Sequence, residues 1–357
     1  MFNKYRFRLN KLTITGMVVF LSIWGCADGD DPVIQPEVND FSGIISTYAD
    51  NVIVATYADL KTNALQLEAS VTVLQSEPTQ ANLDAATELW KSTRAPWEKS
   101  EAFLFGPVSF LSLDPSLDSW PLDRAQLSEV LNSSFELTPD FIREGLGFSL
   151  RGFHTIEFLL FADGSPRLIS DFTSREFEYL AAVTTVLAED AATLYDEWVN
   201  GYRDEFVNAG NSGSRYQSQI QAVQEMIEGI IAIADEVGNG KISDPYSTKD
   251  VLTVESWFSW NSLIDFRNNI ISIQNAYTGD SHLGAGSKGL DEFVKEKNAT
   301  LDARVKVEIT NAINAIDNIP APFRNNLSAD AEIQVAIEAC NRLVNTFNND
   351  VKPLISQ

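Results

Sequence analysis
A chain of 357 residues with 44% hydrophobic and 10% aromatic side chains has ample material for a substantial core, which excludes a disordered protein. Its formal charge of -24 argues against nucleic acid or an anionic membrane surface as partner of the main body, and favours cations and cationic ligands.

Residues 1–25 read as a secretory signal peptide. Lys4, Arg6, Arg8 and Lys11 stand there without an acid, ahead of an apolar stretch from Leu12 to Trp24 that is too short and too early for a spanning helix. The stretch ends in Ile23-Trp24-Gly25-Cys26, which resembles the lipobox of bacterial lipoproteins. That resemblance implies lipidation at Cys26 and an exported, outer-membrane lipoprotein facing the periplasm or the cell surface; the alternative is ordinary cleavage nearby with an incidental cysteine. Residues 26–39, acidic and broken by Pro32 and Pro36, read as a tether. An acylated Cys26 leaves Cys340 without a disulfide partner. Its place among Ile333, Ile337 and Val344 marks it as a small buried hydrophobe.

From Phe41 the periodicity is helical. A long helix, capped by Asp40 and stopped before Pro78, carries Ile44, Ile45, Tyr48, Val52, Ala55, Leu60, Leu65 and Leu67 on its apolar face. A second runs from Thr79 toward Phe105, kinked by Pro96. Residues 106–149 are irregular and proline-rich, with short helical pieces at 123–132 and 140–145; a stretch of that length usually serves or covers a site. Arg151 to Phe161 forms a very apolar helix closed at Ala162 to Pro166. Further helices are expected at 173–199, 214–238, 254–278, 287–317 with a break near Asn298, and 329–350, punctuated by Gly164, Gly238-Asn239-Gly240, Gly279 and Pro320. The class is all-α: two similar helical bundles, 40–166 and 167–357, packed side by side with a cleft between them. A faint echo between Trp90–Gly106 and Glu255–Gly279 is consistent with internal duplication.

Polar residues interrupt the greasy helices in a pattern. His154 and Glu157 fall about 60° apart on one side of their helix, and a buried imidazole and carboxylate need partners. Arg94, Glu98 and Glu101 lie within about 60° of one another beside Trp90 and Trp97, if the phase survives Pro96. Glu255, Ser259, Ser262 and Asn269 span about 80° of the echoing helix. These stripes can satisfy one another in a shared cleft, although each would look the same if it faced water. His154 and Glu157, at i and i+3, can bind one metal, and Glu101 or Glu98 would add oxygens. An oxygen-rich set with one imidazole suits iron or manganese, and zinc less. A zinc peptidase normally needs three protein ligands, and the chain has only His154 and His282, the latter in a glycine-rich loop. A His–Glu pair that is purely structural remains a further reading.

Gly152-x-His154-x-x-Glu157 followed by Phe-Leu-Leu resembles the signature of the imelysin-like proteins. Trp90-x-x-x-Arg94-x-Pro96-Trp97-x-x-x-Glu101-x-Phe103-x-Phe105-Gly106-Pro107 is similar to their first-half motif. Trp120-Pro121, Gly286 to Asp291 and Pro320-Ala321-Pro322-Phe323 fit in the expected order, so the likeness covers about 40–357. It implies two helical bundles, export, a GxHxxE site near the domain interface and a role in iron uptake. Members are also classed as metallopeptidases, which makes His154 and Glu157 the catalytic pair of the alternative reading. Gly152, His154 and Glu157 match the signature, and Arg94 and Glu101 the first-half motif; Glu98, Ser259 and Asn269 are added from helical phase. The expected ligands are His154, Glu157 and Glu101, holding iron or an iron-containing ligand, with an outer-membrane iron transport system as the expected partner.

Overall fold
The computed structural model describes residues 39–356, so the signal peptide, Cys26 and all but the last residue of the tether fall outside the described residues. Asp40 Oδ1 accepts a hydrogen bond from the amide of Ser42 at 2.9 Å, but the N-cap of the first helix is Phe41, which has no side-chain cap, so Asp40 stands one residue before the capping position expected for it. Ser42–Thr47 passes through a wide, π-type stretch, Tyr48–Val54, into α1, Ala55–Ser76. Leu60 and Leu67 are fully buried, but Leu65 points to solvent.

Helix α2, Gln80–Glu98, is capped by Thr79 and contains Pro96. Proline has no N–H to offer Ser92 one turn earlier, and the orphaned Ser92 carbonyl accepts from Asn63 Nδ2 of α1 at 2.9 Å instead. The helix therefore survives its proline but stops at Glu98, and Glu101–Phe103 is a separate 3₁₀ turn. Then come the short α3, Leu113–Asp118, and α4, Phe153–Leu160, which ends in a two-residue hairpin pairing Phe161 with Pro166 and Ala162 with Ser165. Those are the only paired strands among the described residues.

The remaining long helices are α5, Ser174–Glu197, with a Thr173/Glu176 capping box; α6, Gln219–Asp235; α7, Ser262–Thr278; α8, Ala299–Asp317, capped by Asn298 at the expected break; and α9, Asp330–Thr346. Helices α1, α2 and α5 pack together with α4 laid against α2 and α5, while α6, α7, α8 and α9 form a second set. Helix α5 thus packs with the first set although it follows residue 166. The sets meet where α2 crosses α7. Among the described residues no helix is long and apolar enough to cross a membrane.

Two further expectations about local structure fail. Gly238-Asn239-Gly240 does not end a helix: a π-type stretch, Glu236–Ile242, carries the chain on into Ser243–Thr248. Gly238 is needed for packing, since a Cβ there would lie 2.9 Å from the Cβ of Cys340. Nor does a helix begin at 254. Residues 254–261 form an irregular loop with Ser256 and Trp260 at φ of 52° and 60°, and α7 starts only at Ser262. Cys340 is fully buried, as its apolar neighbours suggest, and burial pushes its thiol up to about 12.

Candidate functional site
At the crossing of α2 and α7 the apolar core opens around a guanidinium. Arg94, wholly buried, meets Glu98 Oε1 at 2.5 Å, Glu255 Oε1 at 2.6 Å, Asp265 Oδ2 at 3.4 Å, and Asp118 through Nη1. A planar fork of donors is suited to several carboxylates at once. Trp97 Nε1 donates to the other oxygen of Asp118 at 2.6 Å. Asn269 Nδ2 donates to Glu98 Oε2 at 2.5 Å, and Asn261 Nδ2 to Asp265 Oδ1 at 2.6 Å.

His154 is held from both sides of its ring. Nδ1 lies 3.1 Å from Glu157 Oε2, and the other oxygen of Glu157 accepts from the amide and hydroxyl of Ser259 at 2.8 and 2.7 Å. Trp120 packs on the imidazole, with ring centroids 4.7 Å apart. Nε2 lies 3.1 Å from Asp118 Oδ1 and 3.7 Å from Glu255 Oε1, yet it makes no aligned hydrogen bond. A carboxylate that orients one ring nitrogen while the other faces oxygens is the usual support for a metal-binding histidine.

Gly152 places this helix. Its φ of 78° is left-handed, and a Cβ would stand 2.2 Å from the carbonyl oxygen of Leu117. The bare glycine lets the start of α4 press against the end of α3, which brings His154 beside Asp118.

Asp118, Trp120 and Glu255, which surround His154, also line a cavity of about 650 Å³ together with Glu101, Asp114, Glu236 and Lys241. Lys241 Nζ sits 2.9 Å from Glu255 Oε2. Burial drives Glu98 up to about 8 against the pull of Arg94 and Lys241, and lifts Glu101 well above the carboxylate range. Burial also acts on Asp118 and Glu255, but there Arg94 and His154, with Lys241 on Glu255, outweigh it and hold both below their ordinary values. His154 is opposed by burial, yet Asp118, Glu157 and Glu255 keep it well above the ordinary imidazole value.

A sequence profile described as Imelysin matches residues 53–348. The chain belongs to the imelysin family. Iron-regulated protein A of Synechococcus elongatus is 30% identical over 319 residues, spanning 87% of this chain and 86% of that one. A crystal structure from Parabacteroides distasonis, provisionally named an iron-regulated protein A precursor, aligns with a TM-score of 0.82 at 34% identity, over 91% of this chain and 97% of its own. An imelysin-like protein from Psychrobacter arcticum, at 12% identity and a TM-score of 0.73 over 89% and 98% of the two chains, shares the fold.

In this imelysin-family chain Arg94, Glu98, His154, Glu157, Ser259 and Asn269 enter one connected network, and Gly152 serves it through the backbone. Ser259 and Glu255 do so from the irregular loop, not from a helical stripe. Glu101, turned off the helix after Glu98, lines the cavity instead. The trio His154, Glu157 and Glu101 is not assembled as one ligand set, because Glu157 is taken up through one oxygen by Nδ1 of His154 and through the other by Ser259. Donor atoms converge within 4.8 Å in two other groups, Asp118–His154–Glu255 and Glu98–Glu101–Asp118. Sequence reasoning missed Asp118, Asp265 and Lys241. His282 stays apart, on an exposed loop 2.9 Å from Asp59.

The raised carboxyls carry a consequence for stability. Between about pH 4.5 and 8 the folded chain keeps a proton on Glu98 that the unfolded chain has lost, so stability falls as pH rises through that window. Glu98→Gln, permanently neutral, is expected to flatten this decline. Urea midpoints at pH 5 and 8 check it; an unchanged slope would rule Glu98 out as the source.

Proposed function
We propose that this chain is an exported, lipid-anchored protein that binds iron, or a small iron-containing ligand, at the site built around Gly152, His154 and Glu157. The observation that carries the reading is His154 Nε2: fully buried, without an aligned hydrogen bond, and facing oxygens of Asp118 and Glu255 beside a cavity. An imidazole nitrogen with two carboxylates fits iron or manganese, and Glu157 with Ser259 supports the ring from behind. The acidic composition favours cation capture, and two relatives are named for regulation by iron. Cys26 would anchor the chain through its lipid, and an outer-membrane iron transport system is the partner such a role calls for.

Isothermal titration of the full chain with Fe²⁺ without oxygen, or with Mn²⁺ as a redox-stable stand-in, tests the reading. His154→Ala is expected to abolish measurable binding, and Glu157→Gln to weaken it about 10–100-fold, the usual effect of removing a partner that orients a metal ligand. Absence of heat with the unaltered chain, or equal affinity in His154→Ala, would refute it. Zinc-dependent peptide cleavage that disappears in Glu157→Gln would point to hydrolysis instead.

A further inference from the structure
Lys241 occupies the place a bound cation would contest. Its ammonium lies 2.9 and 3.2 Å from the two oxygens of Glu255, 3.7 Å from Glu236 and 3.9 Å from Glu98. Glu255 Oε1 is shared with Arg94, so both oxygens of this carboxylate already face a cation. Yet Glu255 is one of the two carboxylates whose oxygens converge on His154 Nε2, the nitrogen left without an aligned hydrogen bond.

The two cations are not equally fixed. Arg94 is fully buried and gripped by four carboxylates. Lys241 lines the cavity at the end of a flexible four-carbon stem, on the π-type stretch Glu236–Ile242. Beside it Gly240 has free space: a Cβ there would meet only Glu236, at 3.7 Å.

We propose that Lys241 is a tethered place-holder whose ammonium sits against Glu255 until a multivalent cation displaces it into the cavity. This rests on the reading of the site as a cation site and adds a selectivity device to it. A monovalent ion gains no more from Glu255 than the ammonium already does and has no means of evicting it. A doubly or triply charged ion gains a multiple of that attraction.

The test is Mn²⁺ titration of the full chain as found and as Lys241→Met and Lys241→Arg. Lys241→Met keeps most of the stem and is expected to bind at least about tenfold more tightly, since one like charge a few ångströms from the site has gone. Lys241→Arg keeps the charge and is expected to stay within a few-fold of the unaltered chain. Equal or weaker binding by a folded Lys241→Met, with binding by the unaltered chain intact, overturns the place-holder and leaves the cation site standing. No binding by either overturns both. A readout on the unaltered chain needs no variant to fold: reductive methylation of Lys241, followed by mass spectrometry, is expected to be slow alone and to accelerate with Mn²⁺ but not with Na⁺. Unchanged methylation with saturating Mn²⁺ overturns the proposal.

Discussion

Replacing Arg94 with methionine is expected to cost about 3–5 kcal/mol of folding stability, the range for removing one partner from a buried ion pair. Among the described residues the guanidinium is the one group that touches Glu98, Asp118, Glu255 and Asp265 together, and its side chain has no exposure. Methionine fills much of the volume but leaves those carboxylates facing one another in a poorly solvated space. The loss should be smaller at pH 5 than at pH 8. Asp265, pushed up by burial to about 6, and Glu98, to about 8, can then take protons, whereas Asp118 and Glu255 start from lowered values and resist. Urea unfolding at the two pH values measures this. A loss below about 1 kcal/mol at both, the size of an exposed ion pair, would mean that Arg94 does not organise the cluster.

Gly152→Ala should lose about 3 kcal/mol or more, from left-handed backbone strain and overpacking together. The added methyl would have to displace the Leu117 carbonyl, one residue from Asp118, and so part Asp118 from His154. Stability and the site should therefore fail together, with a changed near-ultraviolet signal from Trp97, which donates to Asp118, and Trp120, which packs on His154. Gly147→Ala is the control, because a Cβ there meets nothing within 4 Å. Equal thermal midpoints for the two variants would refute the close-approach argument.

The fold was legible because long amphipathic stretches between clear caps carry their own phase, and the capping box at Thr173 and the break at Asn298 are short-range signals. The site was half legible. His154, Glu157, Arg94 and Glu98 stand on continuous helices, where angular position follows from spacing. Glu101 departs because Pro96 comes near the end of α2 and the helix stops before it. Ser259 was identified on the wrong element: it reaches Glu157 from a loop whose left-handed Ser256 and Trp260 no periodicity announces. Asp118 ends a short helix inside a proline-rich region that reads as irregular, so the sequence assigns it no phase. Lys241 follows Gly238-Asn239-Gly240, a string that reads as a helix end and is instead a packing contact with Cys340. Asp265 could have been found, being one turn before Asn269 and one turn after Asn261, which binds it.

The partners of Arg94 come 4, 24, 161 and 171 residues later in the chain. A ribosome has therefore delivered the arginine and its nearest acids long before the loop and α7 that complete its neutralisation exist. Until then the first helices hold an incomplete charge cluster at the face that will be buried. The cost of closing so long a loop grows only slowly with length, but the search for it is slow, so folding is tied to the arrival of the second helical set. A fragment cut between α5 and α7 would carry a half-neutralised cluster on an exposed face. The two helical sets are not independent modules.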